Sequence, residues 1–294
     1  MLEPVVFVGV GLGLLIFGGE LLVRSASKIA MALGISPLVI GLTIVAYGTS
    51  APELGVSLFA ALQGKPEIAF SNVVGSNIFN ICFILGLCGI ISPLVVNLQL
   101  IKLDVPILIL VSLLTYVFSY DGVLSQTEGI VFVFGAVVYT GWLIRASKNE
   151  SELVEQEFTS AVKTRKNKDG LFVQSLFILA ALVVLVAGSK LLVSGATDFA
   201  KLMGVSDTLI GLTIVAAGTS LPEVATSVMA TIRGQKDIAI GNVIGSNIFN
   251  LMLILGLSAG VNSGGLKVES TMIQFDIPVM IGVALVCLPL LMTS

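Results

Sequence analysis

Nine long apolar runs dominate the chain, at 4–23, 36–62, 68–92, 103–119, 129–145, 171–192, 206–232, 238–261 and 272–292. Apolar runs of about 18 or more residues with few charges predict membrane-spanning helices. The strands of a closed outer-membrane barrel would instead alternate apolar and polar residues in short segments, and no such alternation is present. The pattern predicts an all-α integral membrane protein with nine spans. The one sizeable polar stretch, 146–170, "ASKNESELVEQEFTSAVKTRKNKDG", reads as a linker rather than a domain. The first run lacks the basic start and small-residue cleavage site of a secretory signal, so it reads as a span.

Shifted by 170 positions, the sequence matches itself without a gap. "IGLTIVAYGTS" (40–50) meets "IGLTIVAAGTS" (210–220), differing only at Tyr47 and Ala217, and "NVVGSNIFN" (72–80) meets "NVIGSNIFN" (242–250). Over residues 40–87, 29 of 48 positions are identical to their partners, which marks an internal duplication. Five spans separate the start of one copy from the start of the next. An odd number makes the second copy enter the membrane from the opposite side, the inverted repeat typical of secondary transporters with a midplane site. The organisation expected is a first five-span half over 1–145, the linker 146–170, and a second half over 171–294 holding four spans. The partner of 129–145 would begin near 298, so a tenth helix is expected beyond Ser294, completing two inverted five-helix repeats.

Composition agrees with a membrane protein: 56% of residues are hydrophobic, 11% are charged, and the mean hydropathy is +1.06. Placement of charge says more than the net value of -3. With the linker in the cytoplasm, the inside receives Arg24, Lys28, Lys102, Arg145, Lys148, Lys163, Arg165, Lys166, Lys168, Arg233 and Lys236. The outside receives Lys65, Lys190, Lys201 and Lys267, a bias of 11 to 4 that places the N-terminus outside. Cys82, Cys88 and Cys287 lie in apolar runs without disulfide or metal spacing, and read as small buried apolar side chains. There is no nucleic-acid signature, no cofactor motif and no sign of an obligate protein partner; the partners expected are ions and the lipid bilayer.

Each copy carries one motif at odds with its apolar surroundings: "GTSAPE" at 48–53 and "GTSLPE" at 218–223. Pro52 has no N–H and its ring clashes with the carbonyl four residues back, so the carbonyls near Gly48 and Thr49 lose their helical partners. In lipid, such groups must be satisfied within the protein or face a wet cavity. Thr49, Glu53 and Ser57 recur every fourth residue and share a face. Thr219, Glu223 and Ser227 repeat that face. The neighbouring run adds the stripe Asn72, Ser76 and Asn80, repeated as Asn242, Ser246 and Asn250. A glutamate at the bilayer centre costs roughly 2.5–3.5 kcal/mol on insertion scales, and two together also repel. The chain has no histidine, and no lysine or arginine lies in the central parts of these helices. Protonation or a bound cation must compensate. A cluster made only of oxygens suits a hard ion such as calcium or sodium rather than zinc or copper. Glu20 and Lys190, which match each other in the repeat, read as structural charges near helix ends. Asp104 and Asp276 read as solvated carboxylates at the membrane edges.

The paired "GTSxPE" and "GSNxxN" motifs resemble those of the cation/calcium antiporter superfamily, and within it the sodium/calcium exchangers of prokaryotic type. The resemblance covers 36–92 and 206–262 closely. It implies a ten-helix fold and a central calcium held by Glu53 and Glu223 with the backbone carbonyls of Thr49 and Thr219. It also implies sodium sites at Ala46, Ser50, Ser76, Ala216, Ser220 and Ser246, with Asn80 and Asn250 completing the middle of the cluster. It implies exchange of sodium for calcium by alternating access, with spans 4–23 and 171–192 sliding across the core. The proton-coupled branch carries "GNxxE" instead, and potassium-dependent exchangers carry Asp where Asn250 stands. A proton-coupled calcium antiporter remains the alternative, and a passive cation channel a reading of a different class. No enzymatic constellation is present.

Overall fold

The computed structural model describes residues 2–93, 96–158, 168–210, 213–214 and 216–292. Helix α1 (Leu2–Leu33) is followed by α2 (Pro37–Thr49) and α3 (Ala51–Leu62), and then by α4 (Pro66–Ile91) and α5 (Leu100–Phe118). Helix α6 (Gln126–Phe158) ends the first half. The second half holds α7 (Lys168–Leu202), short α8 (Asp207–Ile210) and α9 (Ala216–Gly218), α10 (Leu221–Ile232), α11 (Lys236–Val261) and α12 (Met272–Met292). Among the described residues seven helices are long and apolar enough to cross a membrane singly, and α2 with α3, bent by 48°, makes an eighth. The remaining expected span, 206–232, appears as α8, α9 and α10, with 211–212 and 215 outside the described residues.

Two apolar clusters hold the bundle. In the smaller one α1 packs along α7, joined by Ile40, Val45, Ala230, Ile238 and Ala239. Their backbones touch: a Cβ at Gly11 would lie 2.6 Å from the Leu192 nitrogen, and one at Gly195 would lie 2.6 Å from the Pro4 carbonyl oxygen. Small residues allow this close approach where lipid gives helices no hydrophobic reason to associate. The larger cluster centres on α11. In its most apolar window 94% of residues are buried, against 44% for its repeat partner α4. On α11 the backbone of α2 lies close: a Cβ at Gly245 would lie 2.7 Å from the Leu42 Cα, whereas among the described residues a Cβ at its repeat partner Gly75 on α4 would meet nothing within 4 Å.

The loops meet at two ends. At one end Val123–Leu124 pairs antiparallel with Leu266–Lys267, and Gln126 Nε2 donates to the Gly260 carbonyl at 3.0 Å. At the other, the Ser36 N–H donates to Ser147 Oγ at 3.2 Å and Lys236 Nζ to the Pro93 carbonyl at 2.7 Å.

Four expectations need correction. Helices α1 and α7 run about ten residues past the expected ends at 23 and 192, because Ser25, Ala26, Ile29 and Ala30 continue a buried face among the charges. The segment 146–158 of the expected linker continues α6; it has no Pro or Gly and is rich in helix formers. Residues 159–167 of that linker lie outside the described residues. Asp104 is fully buried rather than solvated: Tyr139 Oη donates to it at 2.8 Å and Gln99 Nε2 at 3.3 Å. Asp276 is half-buried. Cys82 is exposed, while Cys88 and Cys287 are buried as expected.

Candidate ion-binding site

Both "GTSxPE" motifs break their helices in the same way. Ser50 has φ -79 and ψ 7, and Ser220 has φ -88 and ψ 5, values that halt the α-helical pattern for one residue. Each proline then sits in the first turn of the next helix, where its missing N–H costs nothing. The glutamate follows at once, at the N-terminal end of α3 or α10, where helix dipoles favour negative charge. The carbonyl freed four residues before Pro222 is that of Gly218, and Ser189 Oγ on α7 donates to it at 2.5 Å.

Glu53 and Glu223 are both buried, at 1% and 0% exposure. They are held crosswise. Ser220 Oγ donates to Glu53 Oε1 at 2.9 Å, and Ser50 Oγ donates to Glu223 Oε1 at 2.9 Å. Ser220 Oγ also lies 3.4 Å from Ser76 Oγ. Among the described residues no lysine or arginine pairs with either carboxylate, and the second oxygen of each is buried without a hydrogen-bond partner. Ser246 Oγ, Thr219 Oγ1, Asn80 Oδ1 and Asn250 Oδ1 are also buried and unpartnered. Buried polar atoms in folded proteins are satisfied as a rule, so this concentration of unpartnered oxygens makes the cluster the candidate site. Among the described residues there is no group of three His, Cys, Asp or Glu side chains. A cation here would rest on two carboxylates and neutral oxygens.

Of the twelve residues expected at the site, Glu53, Glu223, Ser50, Ser220, Thr49, Ser76, Ser246, Asn80, Asn250 and Ala46 are buried, and direct contacts join both copies. Thr219 is half-buried and Ala216 is exposed, whereas its partner Ala46 is fully buried. The two copies thus close differently. Thr49 Oγ1 donates to Asn242 Oδ1 at 3.0 Å, but Thr219 makes no matching bond to Asn72. The Tyr47 hydroxyl meets Thr140 Oγ1 and its ring lies 4.2 Å from that of Phe249, contacts that Ala217 cannot copy. Glu20, read as structural, accepts from Arg24 Nη2 at 2.5 Å and also from Arg233, while Lys190 is exposed.

The sequence reading missed Asn77 and Asn247. Both are fully buried, and each donates its amide to the backbone carbonyl of the other at 3.1 Å. Their identity within "GSNxxN" in both copies was the available signal. It also missed the π-helical turns that begin at Asn80 and Asn250. Such turns are frequent where a helix must re-aim a functional side chain.

Comparison with known proteins places the chain. The family model described as sodium/calcium exchanger protein matches residues 3–145 and 173–294. The sodium/calcium exchanger MaX1 of Methanosarcina acetivorans is 38% identical over 97% of this chain and 90% of its own length. The inner membrane protein YrbG of Escherichia coli is 36% identical over 94% of this chain and 85% of its own. Among solved structures, the sodium-calcium exchanger NCX_Mj, soaked with 10 mM sodium and no calcium, superposes with a TM-score of 0.84 at 30% identity. That match covers 100% of this chain and 92% of the other.

Proposed function

The chain belongs to the sodium/calcium exchanger family, and from that premise we propose that it exchanges sodium for calcium at the buried oxygen cluster of Glu53 and Glu223. It is a multi-pass membrane protein whose function is transport. The observation that carries the site is the pair of buried carboxylates, cross-held by the serines of the opposite copy, each with one oxygen left over. Two glutamates contribute two negative charges, which one calcium or two sodium ions neutralise. The expected ligands are these carboxylates, the carbonyls of Thr49 and Thr219, and the oxygens of Ser50, Ser220, Ser76, Ser246, Asn80 and Asn250, with Ala46 and Ala216 contributing backbone oxygens. Sodium and calcium compete for the same oxygens. Passage of an empty, doubly charged cluster through a low-dielectric core is unfavourable, so movement of the empty carrier is suppressed and exchange results.

Alternating access at this site is supported by its uneven closure: Ala46, on α2, is buried against α11 while Ala216 is exposed on the second copy. The reciprocal bonds between the copies, and loop contacts that join ends on alternate sides, support two inverted repeats. The lysine and arginine bias among the loops supports an N-terminus outside, and the relatives from Methanosarcina acetivorans and Escherichia coli support a prokaryotic cell membrane as the location. A ten-helix organisation is supported by an apolar groove of about 630 Å³ whose lining includes Cys82, Gly86 and Gly89. These are the repeat partners of Met252, Gly256 and Ala259, the surface that α6 covers with Gly129 and Gly135. A helix equivalent to α6 fits there and would bury Cys82.

The test is calcium uptake by proteoliposomes holding the purified chain. An outward sodium gradient is expected to drive uptake, with Glu53→Gln and Glu223→Gln both inactive although folded. Uptake driven by a proton gradient alone would favour the proton-coupled alternative. Uptake without any counter-gradient would favour a channel. Near-normal sodium-driven uptake by either variant would remove the glutamates from the site.

A further inference from the structure

We propose that Asn77 and Asn247 are positioning residues that turn the side-chain carbonyls of Asn80 and Asn250 toward the transported cation, each acting on the amide of the opposite copy. The inference rests on reading the cluster as the ion site.

A side-chain amide has two chemically opposite ends, a donor NH2 and an acceptor oxygen, and a cation accepts only the second. Which end faces the site is therefore decisive, and the hydrogen-bond pattern fixes it. The Asn247 backbone carbonyl can only accept, so Asn77 must offer it Nδ2, as it does at 3.1 Å. Asn77 Oδ1 then faces the other way and demands a donor. Asn250 supplies it, with Nδ2 at 3.0 Å from Asn77 Oδ1. The donor end of Asn250 is thereby used, and its Oδ1 remains, buried and without a partner. The second copy repeats the sequence. Asn247 Nδ2 donates to the Asn77 carbonyl at 3.1 Å, Asn247 Oδ1 accepts from Asn80 Nδ2 at 2.9 Å, and Asn80 Oδ1 is left over.

All four side chains are at most 1% exposed, so no solvent competes for these bonds. Inverting Asn77 or Asn247 would set like ends against each other at two places, and inverting Asn80 or Asn250 would do so at one. Inverting a linked pair would still leave an oxygen facing a backbone carbonyl that has no proton to give. Two main-chain groups, whose polarity no rotation can change, thus dictate that oxygens rather than NH2 groups are left for the ion.

The consequence is a crossed dependence. Asn77 acts through Asn250, 173 residues away, rather than through Asn80 on its own helix turn, and Asn247 acts through Asn80, 167 residues away. Calcium binding to the purified full chain in detergent, followed by isothermal titration calorimetry, reads this directly. Loss of a residue that orients a metal ligand costs about ten- to a hundredfold in affinity, and Asn77→Leu is expected to fall in that range. In an Asn250→Ala background the same change is expected to add less than about twofold, while in an Asn80→Ala background it keeps its full effect. Asn247→Leu is expected to show the mirror pattern. If Asn77→Leu fails to fold, Asn77→Ser carries the same cycle, because its short hydroxyl cannot reach both partners. Coupling of Asn77 to Asn80 instead of Asn250, or equal effects in both backgrounds, would overturn the inference. A separate control tells the two readings apart. If Glu53→Gln abolishes calcium binding while the cycles are additive, only the positioning role falls. If Glu53→Gln binds calcium as the unmodified chain does, the site itself is misplaced.

Discussion

Replacing Ser220 by alanine isolates one bond of the cluster. Its hydroxyl donates to Glu53 Oε1 at 2.9 Å, and both groups are at most 1% exposed. A hydrogen bond to a charged partner contributes about 1.5–3 kcal/mol, and the hydroxyl is also an expected ion ligand. Each 1.4 kcal/mol is about tenfold in affinity, so Ser220→Ala should raise the calcium concentration for half-maximal exchange by roughly ten- to 150-fold. The hydroxyl is small and its loss leaves only a minor void, so the folded protein should survive. Initial rates of sodium-driven uptake against calcium concentration give the first quantity, and thermal unfolding in detergent gives the second. Ser220→Thr keeps the hydroxyl and should retain more affinity than the alanine variant. If both variants lay within about twofold of the unmodified chain, the Ser220–Glu53 bond would not organise the site. If the alanine variant lost stability in proportion to its affinity, the bond would be structural rather than part of the binding machinery.

Ser189→Ala should leave the buried Gly218 carbonyl without its donor and cost about 1–3 kcal/mol of stability, visible as a lowered unfolding temperature; an unchanged temperature would mean that the carbonyl finds another partner. Exchange should proceed unchanged when potassium is replaced by choline, because Asn250 is neutral. Asn250→Asp should make exchange depend on proton concentration, because an aspartate facing Asn77 Oδ1 needs a proton to make that bond; a flat pH profile would contradict the bond as described. With Cys82, Cys88 and Cys287 removed, Lys65→Cys and Ala161→Cys should react with impermeant reagents from opposite faces of the membrane, and labelling from one face would refute the inverted threading.

The parts of this molecule that were legible in its sequence are those governed by local rules. Apolar runs located the helices, and proline four residues beyond a glycine located both breaks. The duplication then told which polar residues belong together. What escaped depends on partners far away in the chain. Asp104 looked like a solvated edge charge because nothing nearby hints that Tyr139, on another helix, covers it. Asn77 was indistinguishable from any polar residue on a packed helix face until Asn247 stood opposite. The extra length of α1 and α7 was masked by Arg24, Lys28, Asp198 and Lys201, charges that interrupt an apolar run without interrupting a helix.

Between Ile40 and Ser50 a single position, Tyr47, departs from the second copy. A freshly duplicated carrier with matching halves would rest equally on either face, since turning it over in the membrane gives the same molecule back. Any later change in one copy alone tips that balance. Tyr47 secures α2 through Thr140 and Phe249, and Ala217 secures nothing comparable. On the alternating-access reading proposed above, one neutral hydrogen bond made in a single resting state, worth about 0.5–1.5 kcal/mol, would weight that state over the other by roughly two- to twelvefold. Apparent affinity scales with the fraction of molecules poised to receive the ion. On that reading two faces can differ in affinity for the same ion while offering it the same oxygens, and the asymmetry between them is written one residue away from Ala46, a proposed ligand.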